Sequence, residues 1–594
     1  MGGFTSLATA TSGLTAAQTG LYVTGHNMAN VDTIGFSRQR PLMQDFASQN
    51  VGAQGAGPLV KQVGLGTDVA GIFQIRDKFL DIAYREEAGK LEYYNVRAMA
   101  GVEVESILGE LQSQYNTDSV FKDLFASLQE LSFDAQSLAT RANFISTAVT
   151  FVDKVTNVYQ RTVEYQHNLD KQVRDTVTRI NQLLNDIDRY NRLIPDAEAA
   201  EDHANDFRDS RNNCLDELSH LLDIDYKEMT DGTVTVMAEG NELVSNGYVN
   251  QLGLRYTTST YSFVEPVFTR REDIMSSGEF ARTVFDYSLP INPANRNDSG
   301  KLKSLIVTRG LYPLNYADEV PPKPTPTGNP TVDKAAMNEW QKIRFNNEDT
   351  LIPTFQKEFD IIVNKVVTMI NDCVAPQKGG FKDPDAPYDL EADPVTGAYI
   401  NTRGTEIFSR LYQDRWGDPF DPTDNENPGA AYNPETPGQY YSLYTSGNLK
   451  VNPVLLAEGG HDYIALMLAE SLKADDPDAA VNGISDNHTV LDALLEQWKS
   501  EIIDLNTGEK LSVDSAYKQF TANIGIETNE ALNYVDEQST LVIQADNKRK
   551  AVSAVSLDEE MKSMMIYQRS YNAAARMVNV IDSMIDRLVN GLKS

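Results

Sequence analysis

Residues Ser12–Gln39 read SGLTAAQTGLYVTGHNMANVDTIGFSRQ, and no Asp, Glu, Lys or Arg occurs before Asp32. Leu7, Ala10, Leu14, Ala17, Leu21 and Met28 follow a three-four spacing, which draws a narrow apolar seam along one side of a helix. The rest of that helix is small and uncharged. Its glycines and threonines are poor helix formers and no ion pairs support it, so it is marginal in water without a partner. Asn30, Asp32 and Gly35 are turn residues that end it and redirect the chain.

The other end supplies a matching helix over Leu557–Leu592. Tyr567, Tyr571, Ala574, Val578, Ile581, Ile585, Leu588 and Leu592 alternate steps of four and three. Ser556 suits the N-cap with Glu559 three residues on, and Asp558, Glu559 and Glu560 complement the helix dipole. Two such seams predict a coiled coil between the chain's ends or between subunits. They equally fit two core helices of a compact domain, and periodicity alone leaves both open.

Between the ends the pattern changes several times. Residues 90–222 read as long helices, with Val173, Val177, Ile180, Leu184 and Ile187 on one seam and Pro195 expected to end that helix. From 224 the signal is β: Asp231-Gly232 makes a turn, and Thr233–Met237 alternates apolar with polar. Val320–Pro330 reads as a stiff connector. Helix returns over 334–375, where Phe355, Phe359, Ile362, Val366, Met369 and Ile370 share a face. Residues 376–447, rich in Asp, Pro, Gly and Tyr, have no sustained period. Helix resumes near 487, with Leu491, Leu494, Leu495 and Trp498 leading into 512–550.

A chain of 594 residues needs several domains. Its net charge of −33 repels phosphates, which argues against nucleic acid and anionic membranes as partners. The only cysteines, Cys214 and Cys373, make neither a disulfide framework nor a zinc set and read as buried thiols. No apolar run reaches a membrane span. The N-terminus lacks the basic and apolar regions of a cleavable signal, so the chain is expected either to be cytoplasmic or to be exported without cleavage.

The motifs of common enzymes are missing: no His-Glu-x-x-His, no Walker A, no Gly-x-Ser-x-Gly. Gly64-Leu65-Gly66 lacks the third glycine of a dinucleotide loop and reads as a tight turn. His203 and His220 flank Cys214 at spacings that suit no common ligand set. The acidic stretches Asp383–Asp393 and Asp414–Glu426 lack the EF-hand order and read as solvated loops. No catalytic residue, cofactor or metal ligand is expected.

The order of residues in Ser12–Gln39 resembles the N-terminal signature of the flagellar axial proteins, the family of rod, hook and hook-associated subunits. That signature runs Ser-Gly-Leu, an Ala-Gln pair, a Leu, Asn-x-x-Asn, then Thr, Gly and an aromatic residue. Here these are Ser12, Gly13, Leu14, Ala17, Gln18, Leu21, Asn27, Asn30, Thr33, Gly35 and Phe36. The Arg38-Gln39 pair after Phe36 resembles the hook-associated members, where rod and hook proteins usually carry a Lys; Phe36 stands where Tyr is commoner. Further likeness lies in Gly64–Leu80, in Asn205–Leu222, in Ser299–Gly310 (likened to a short strand region), in Ala516–Ile526, in Ser553–Glu560 and at Tyr567-Gln568. It is weak over 230–300 and 376–485.

The resemblance implies a structural subunit joining hook to filament, not an enzyme, that works by self-assembly. Its implied partners are other copies of the chain, hook subunits, a second junction protein and an export chaperone on the C-terminal helix. Its implied place is the extracellular flagellum, reached without a cleaved signal. The residues expected at the assembly interface are Leu7, Leu14, Leu21, Asn27, Asn30, Gly35, Phe36, Arg38, Gln39, Tyr567, Tyr571, Val578, Ile581, Ile585 and Leu588. Two alternatives remain: another axial subunit, hook or rod, or a surface- or glycan-binding module in 376–486, with Tyr440, Tyr441 and Tyr444 as its platform.

The expected fold class is α+β multidomain and nested. A terminal α-helical coiled coil would take 1–45 and 553–594, both disordered in the monomer. A helical-bundle body would take 46–222, 334–375 and 487–552. Residues 223–333 would form a β-rich inserted domain, and 376–486 an irregular, partly β outer one.

Overall fold

The computed structural model describes residues 2–45, 49–51, 61–63, 66–109, 116–135, 137–199, 204–245, 247–258, 262–269, 282–374, 391–392, 399–400, 406–413, 415, 433–460, 489–505 and 508–591. Both acidic stretches read as solvated loops, Asp383–Asp393 and Asp414–Glu426, lie almost entirely outside them, and Gly64, Leu65, His203 and Leu592 lie outside them too. The fold is α+β and mainly helical, with small separate sheets.

Helix α1 (Gly2–Ala29) leads into an antiparallel pair, β1 (Gln39–Asp45) with β2 (Thr67–Gln74). Next come α2 (Lys78–Leu108), α3 (Thr117–Phe133), α4 (Leu138–Ala199) and α5 (Asn205–Leu221). Side chains cap them where the sequence offers a short polar group: Asp77 accepts from Phe79 N, and Asn116 from Ser119 N. The predicted seam of α4, Val173 to Ile187, is buried throughout. Its predicted stop is wrong, because α4 runs through Pro195 to Ala199. A proline this near the C-terminus removes one ladder bond, and Arg208 holds the last turn from outside by bonding Glu198 at 2.8 Å.

Four antiparallel strands follow in sequence order: β3 (Asp225–Glu228), β4 (Val234–Ala238), β5 (Asn241–Ser245) and β6 (Tyr248–Val249). The predicted Asp231-Gly232 turn is present, with Gly232 at φ 81°. A second pair, β7 (Leu252–Tyr256) with β8 (Val264–Phe268), lies on α4. Beyond it the chain departs from the β reading. Lys301–Arg309, likened to a strand, is helix α6, whereas α7 (Pro330–Glu348) is the start of the helix expected from 334. Leu302 to Arg309 are all buried, polar and apolar alike, so the helix lacks the one-sided apolar period that marks a surface helix, and its short apolar run Leu305–Val307 also fits a core strand.

The helix expected over 334–375 is two helices, α7 and α8 (Leu351–Val374), parted at Asp349–Thr350. The predicted face of α8, Phe355 to Ile370, is buried. The described parts of the next segment include an antiparallel pair, β9 (Phe408–Arg410) with β10 (Leu449–Val451). Its tyrosines do not form an exposed platform. Of the three expected in it, Tyr444 is buried with its hydroxyl on Glu406 at 2.6 Å, Tyr440 is half-buried, and Tyr441 alone is exposed. Helix α9 (Thr489–Lys499) buries Leu491, Leu494 and Trp498.

Two long helices close the chain: α10 (Val513–Ser553), capped by Ser512, and α11 (Leu557–Gly591). Helix α10 runs antiparallel to α2. A Cβ on Gly101 would strike Thr528, Tyr94 stacks on Tyr534 at 4.5 Å, and Arg549 lies 3.9 Å over Tyr84. One apolar core spans residues of α2, α3, α4, α8 and α10 together with β4, β7 and β8. Early and late parts of the chain therefore bury a shared surface.

Candidate functional site

Helices α1 and α11 pack against each other and run antiparallel. Gly13 faces Ala574, Gly20 faces Tyr567, and Asn27 reaches Glu560. Each step of seven residues along α1 is matched by seven back along α11, the register of a coiled-coil seam. On α11 the predicted positions Tyr567, Tyr571, Val578, Ile581 and Ile585 are on the sheltered side, Ile581 the most buried at 9% exposure. The side chain of Leu588 lies outside the described residues.

On α1 the seam differs from the prediction. Leu7, Leu14 and Leu21 are only half-buried, while Ala10, Ala17, Gly20, Thr24 and Asn27 are buried. The contact line is Ala10, Gly13, Ala17, Gly20, Thr24 and Asn27, again at alternate steps of three and four. Small residues there let the aromatic Tyr567 lie on the helix backbone: a Cβ on Gly20 would sit 2.5 Å from the ring. The leucines flank this line. Another side of α1 meets the β1–β2 pair, where Thr67 N donates to Ser12 Oγ at 3.2 Å.

A polar clasp closes the pair at its inner end. Asn27 Nδ2 donates to Gln39 O at 2.9 Å, and Gln39 N donates back to Asn27 Oδ1 at 3.0 Å. The Asn27 amide is also 3.1 Å from Glu560 Oε2. Arg38 Nε donates to Glu560 Oε1 at 2.7 Å, Arg38 Nη1 to Glu559 Oε2 at 2.6 Å, and Arg38 N to Ser553 O at 2.8 Å. Glu560 is 2% exposed, so its charge needs these donors. Asn27 and Arg38 thus meet at one carboxylate on the first turn of α11, and the Gln39 backbone holds Asn27 in place.

The turn between α1 and the clasp is held locally. Asn30 Nδ2 donates to His26 O at 3.0 Å, Thr33 Oγ1 donates to Asn30 Oδ1 at 3.1 Å, and the Phe36 ring meets His26 edge-on. Gly35 has φ 78°, and a Cβ there would fall 1.8 Å from Asn213 Oδ1 on α5. Both conformation and space require glycine. Asn30, Gly35 and Phe36 therefore shape the bend rather than touch α11.

Below the clasp, Ser37 N donates to Asp209 Oδ2 of α5 at 3.1 Å, and Arg76 forks Asp81. Burial pushes the Asp209 carboxyl up to about 6, against the pull of Ser37 and Arg76. Asp216 receives Arg85 and Arg549, each at 2.7 Å; burial raises its carboxyl, but the two guanidinium groups outweigh that and hold it low. The Ser37 hydrogen bond ties the terminal segment to α5, and the Asp216 ion pairs tie α5 to α2 and α10. Sequence reasoning missed Glu560, Gly20, Ser37, Arg76 and Asp209. Only the three acids at the start of α11, Asp558 to Glu560 after Ser556, hinted at the first.

Nothing in this arrangement activates a nucleophile. Burial pushes the thiols of Cys214 and Cys373 up to about 11, which keeps them protonated at neutral pH. Among the described residues no group of three or more His, Cys, Asp or Glu could hold a metal ion, and no helix is long and apolar enough to cross a membrane.

A family model for the flagellar hook-associated protein FlgK helical domain matches residues 102–283, and one for the flagellar basal body rod FlgEFG protein C-terminal matches 551–591. The chain is 25% identical to flagellar hook-associated protein 1 of Bacillus subtilis over 594 residues, covering 99% of this chain and 98% of that one. Against the Escherichia coli protein of that name it is 23% identical over 602 residues, covering 98% of each. A 73-residue stretch is 44% identical to the flagellar hook protein FlgE of Borreliella burgdorferi, covering 11% of this chain and 16% of that one. Relatives of one name match almost its whole length, and the axial-protein match falls on α11 itself: the chain is similar throughout to flagellar hook-associated protein 1 and is a structural subunit of the bacterial flagellum.

Proposed function

We propose that the chain joins hook to filament by self-assembly through its terminal helix pair, without catalysis. The observation that carries this reading is the apolar surface left over once α1 and α11 have paired. Ile566, Met577, Val580 and Met584 are all more than half exposed on α11, as is Tyr22 on α1. Apolar side chains gathered along one helix mark a surface that other molecules cover. Neighbouring copies, hook subunits and a second junction protein are the proposed cover, with an export chaperone holding α11 before incorporation. Export proceeds without a cleaved signal.

In this reading the ends, 1–45 and 553–594, are disordered in the free chain and become the paired helices on incorporation. Ordering costs about 1–2 kcal/mol per residue, which the contacts of a lattice offset and those of one α1–α11 pair do not. Deleting the protein should leave hooks complete, filaments missing and filament subunits in the medium. Normal filaments on such cells would sink the junction role. Protected amides at both ends of the isolated monomer would remove the ordering step.

A further inference from the structure

Asp360 lies in the middle of α8, 2% exposed, where α8 meets the described part of the outer segment. One carboxylate oxygen accepts from Ser446 N at 2.6 Å, and the other from Tyr316 N at 3.3 Å. Glu435, from the outer segment, accepts from Tyr316 Oη, from Tyr444 N at 2.9 Å and from Asn364 Nδ2 of α8 at 3.1 Å. Two carboxylates, one from each side, therefore stitch residues 433–448 to α8 and to the loop at Tyr316.

The surroundings are rich in acids and poor in cations. Asp318 faces Asp360 from the Tyr316 loop; Tyr440 faces it from the outer segment and Tyr159 from α4. The nearby cations are turned elsewhere. Lys357 of α8 bonds Asn347 Oδ1 at 3.0 Å, and Arg410 gives its guanidinium to the carbonyls of Gln413, Ser442 and Asn433. Among the described residues no Lys or Arg is bonded to Asp360. The two backbone donors favour the charged carboxylate, but full burial without a counter-charge outweighs them and favours the neutral form.

We propose that residues 433–448 are held on α8 by an acid-tightened joint whose proton-accepting group is Asp360. Closing the joint buries Asp360 among Asp318, Glu435 and two phenols, and opening it returns the carboxyl to water. Burial first, then Asp318, push the closed-state carboxyl up to about 7, while Ser446 and Tyr316 pull the other way. The closed state holds the proton more tightly than the open one. Its advantage is therefore complete below the ordinary carboxylate range and is lost as pH rises through about 7. The outer segment is predicted to sit firmly in mild acid and to loosen in alkaline surroundings.

The test is amide hydrogen exchange on the full-length free chain across a pH series, corrected for intrinsic rates. Protection of residues 433–448 should rise about tenfold or more between about pH 8 and pH 5, with half the change near neutrality. Asp360→Asn should flatten that response while α4 amides keep their protection. Asp318→Asn removes a facing charge and should shift the midpoint to lower pH without abolishing the response. Protection that ignores pH in the unmodified chain overturns the joint. So does a full response in Asp360→Asn, or, should that variant leave 433–448 unprotected at every pH, an unmoved midpoint in Asp318→Asn. The measurement does not involve the chain ends, so its outcome is independent of the assembly reading.

Discussion

Arg38 and Glu560 are 522 positions apart in the chain, yet Arg38 Nε donates to Glu560 Oε1 at 2.7 Å. The pair ties the turn after α1 to the first turn of α11 and so sets the register of the terminal helices. Removing one partner of a largely buried pair leaves the other charge without compensation, at a cost of about 3–5 kcal/mol where burial is complete. Arg38 is 23% exposed on its side chain, so Arg38→Ala should cost about 2 kcal/mol of the pair's hold. Glu560→Gln should cost less, because it retains an acceptor for Asn27. Filament retention under shear on cells carrying each variant gives the ranking, and equal retention in all three would remove the clasp from assembly.

Gly20 and Tyr567 make the second prediction. A methyl on residue 20 meets the Tyr567 ring at 2.5 Å, so Gly20→Ala must displace the ring or part the helices. Overpacking of this kind costs about 1–3 kcal/mol. Adding Tyr567→Leu opens the space and should recover part of the loss, a coupling that independent sites would not show. Swarming halos of the two single variants and the double variant measure it.

The same contact shows why half of the terminal pair was legible in the sequence and half was not. On α11 the seam is made of Tyr567, Val578, Ile581 and Ile585, large apolar groups whose spacing is visible. On α1 it is made of Gly13, Ala17, Gly20 and Thr24, which carry little hydrophobic signal, so the eye follows the flanking leucines instead. Asn27, Arg38 and Gln39 were found by resemblance alone. Glu560, the acceptor shared by Asn27 and Arg38, looks in sequence like any acid at a helix start, and only the packed chain shows it buried. The helix α6 was misread for another reason: buried on every side, with Lys303, Ser304, Thr308 and Arg309 buried beside Leu302 and Leu305–Val307, it shows no one-sided apolar period.

Glu358 on α8 faces Glu527 on α10. Burial, then the Glu527 charge, push its carboxyl up to about 7, against a bond from Asn523. The folded chain therefore holds the proton more tightly than the unfolded one. The stability this gives is complete below the ordinary glutamate value and is lost as pH rises through about 7. Glu358→Gln should leave stability unchanged in acid and raise it by about 1–2 kcal/mol in alkali, the figure being discounted for partial exposure. Urea unfolding of both proteins at several pH values tests this; a difference independent of pH would remove the carboxylate as its source.

Arg309 and Asp170 fix the β7–β8 pair to the body. Arg309 is fully buried: its guanidinium bonds Asp170 Oδ1, Val264 O at 2.8 Å and Gly310 O at 3.0 Å, and lies 5.0 Å over the Phe263 ring. Asp170 also accepts from Val264 N at 2.9 Å, so one ion pair serves both backbone groups at the start of β8. Arg309→Ala should cost about 2–3 kcal/mol, because it leaves two carbonyls without their side-chain donor and Asp170 with Arg174, at 2.9 Å, as its remaining cation. Arg309→Lys should recover little, since an ammonium cannot span three acceptors with the planar fork that reaches them here. Hydrogen exchange should show β7 and β8 loosening before α4 in both variants. Retained protection in β8 after Arg309→Ala would mean that the strand pair is held by its packing on α4 and not by the ion pair.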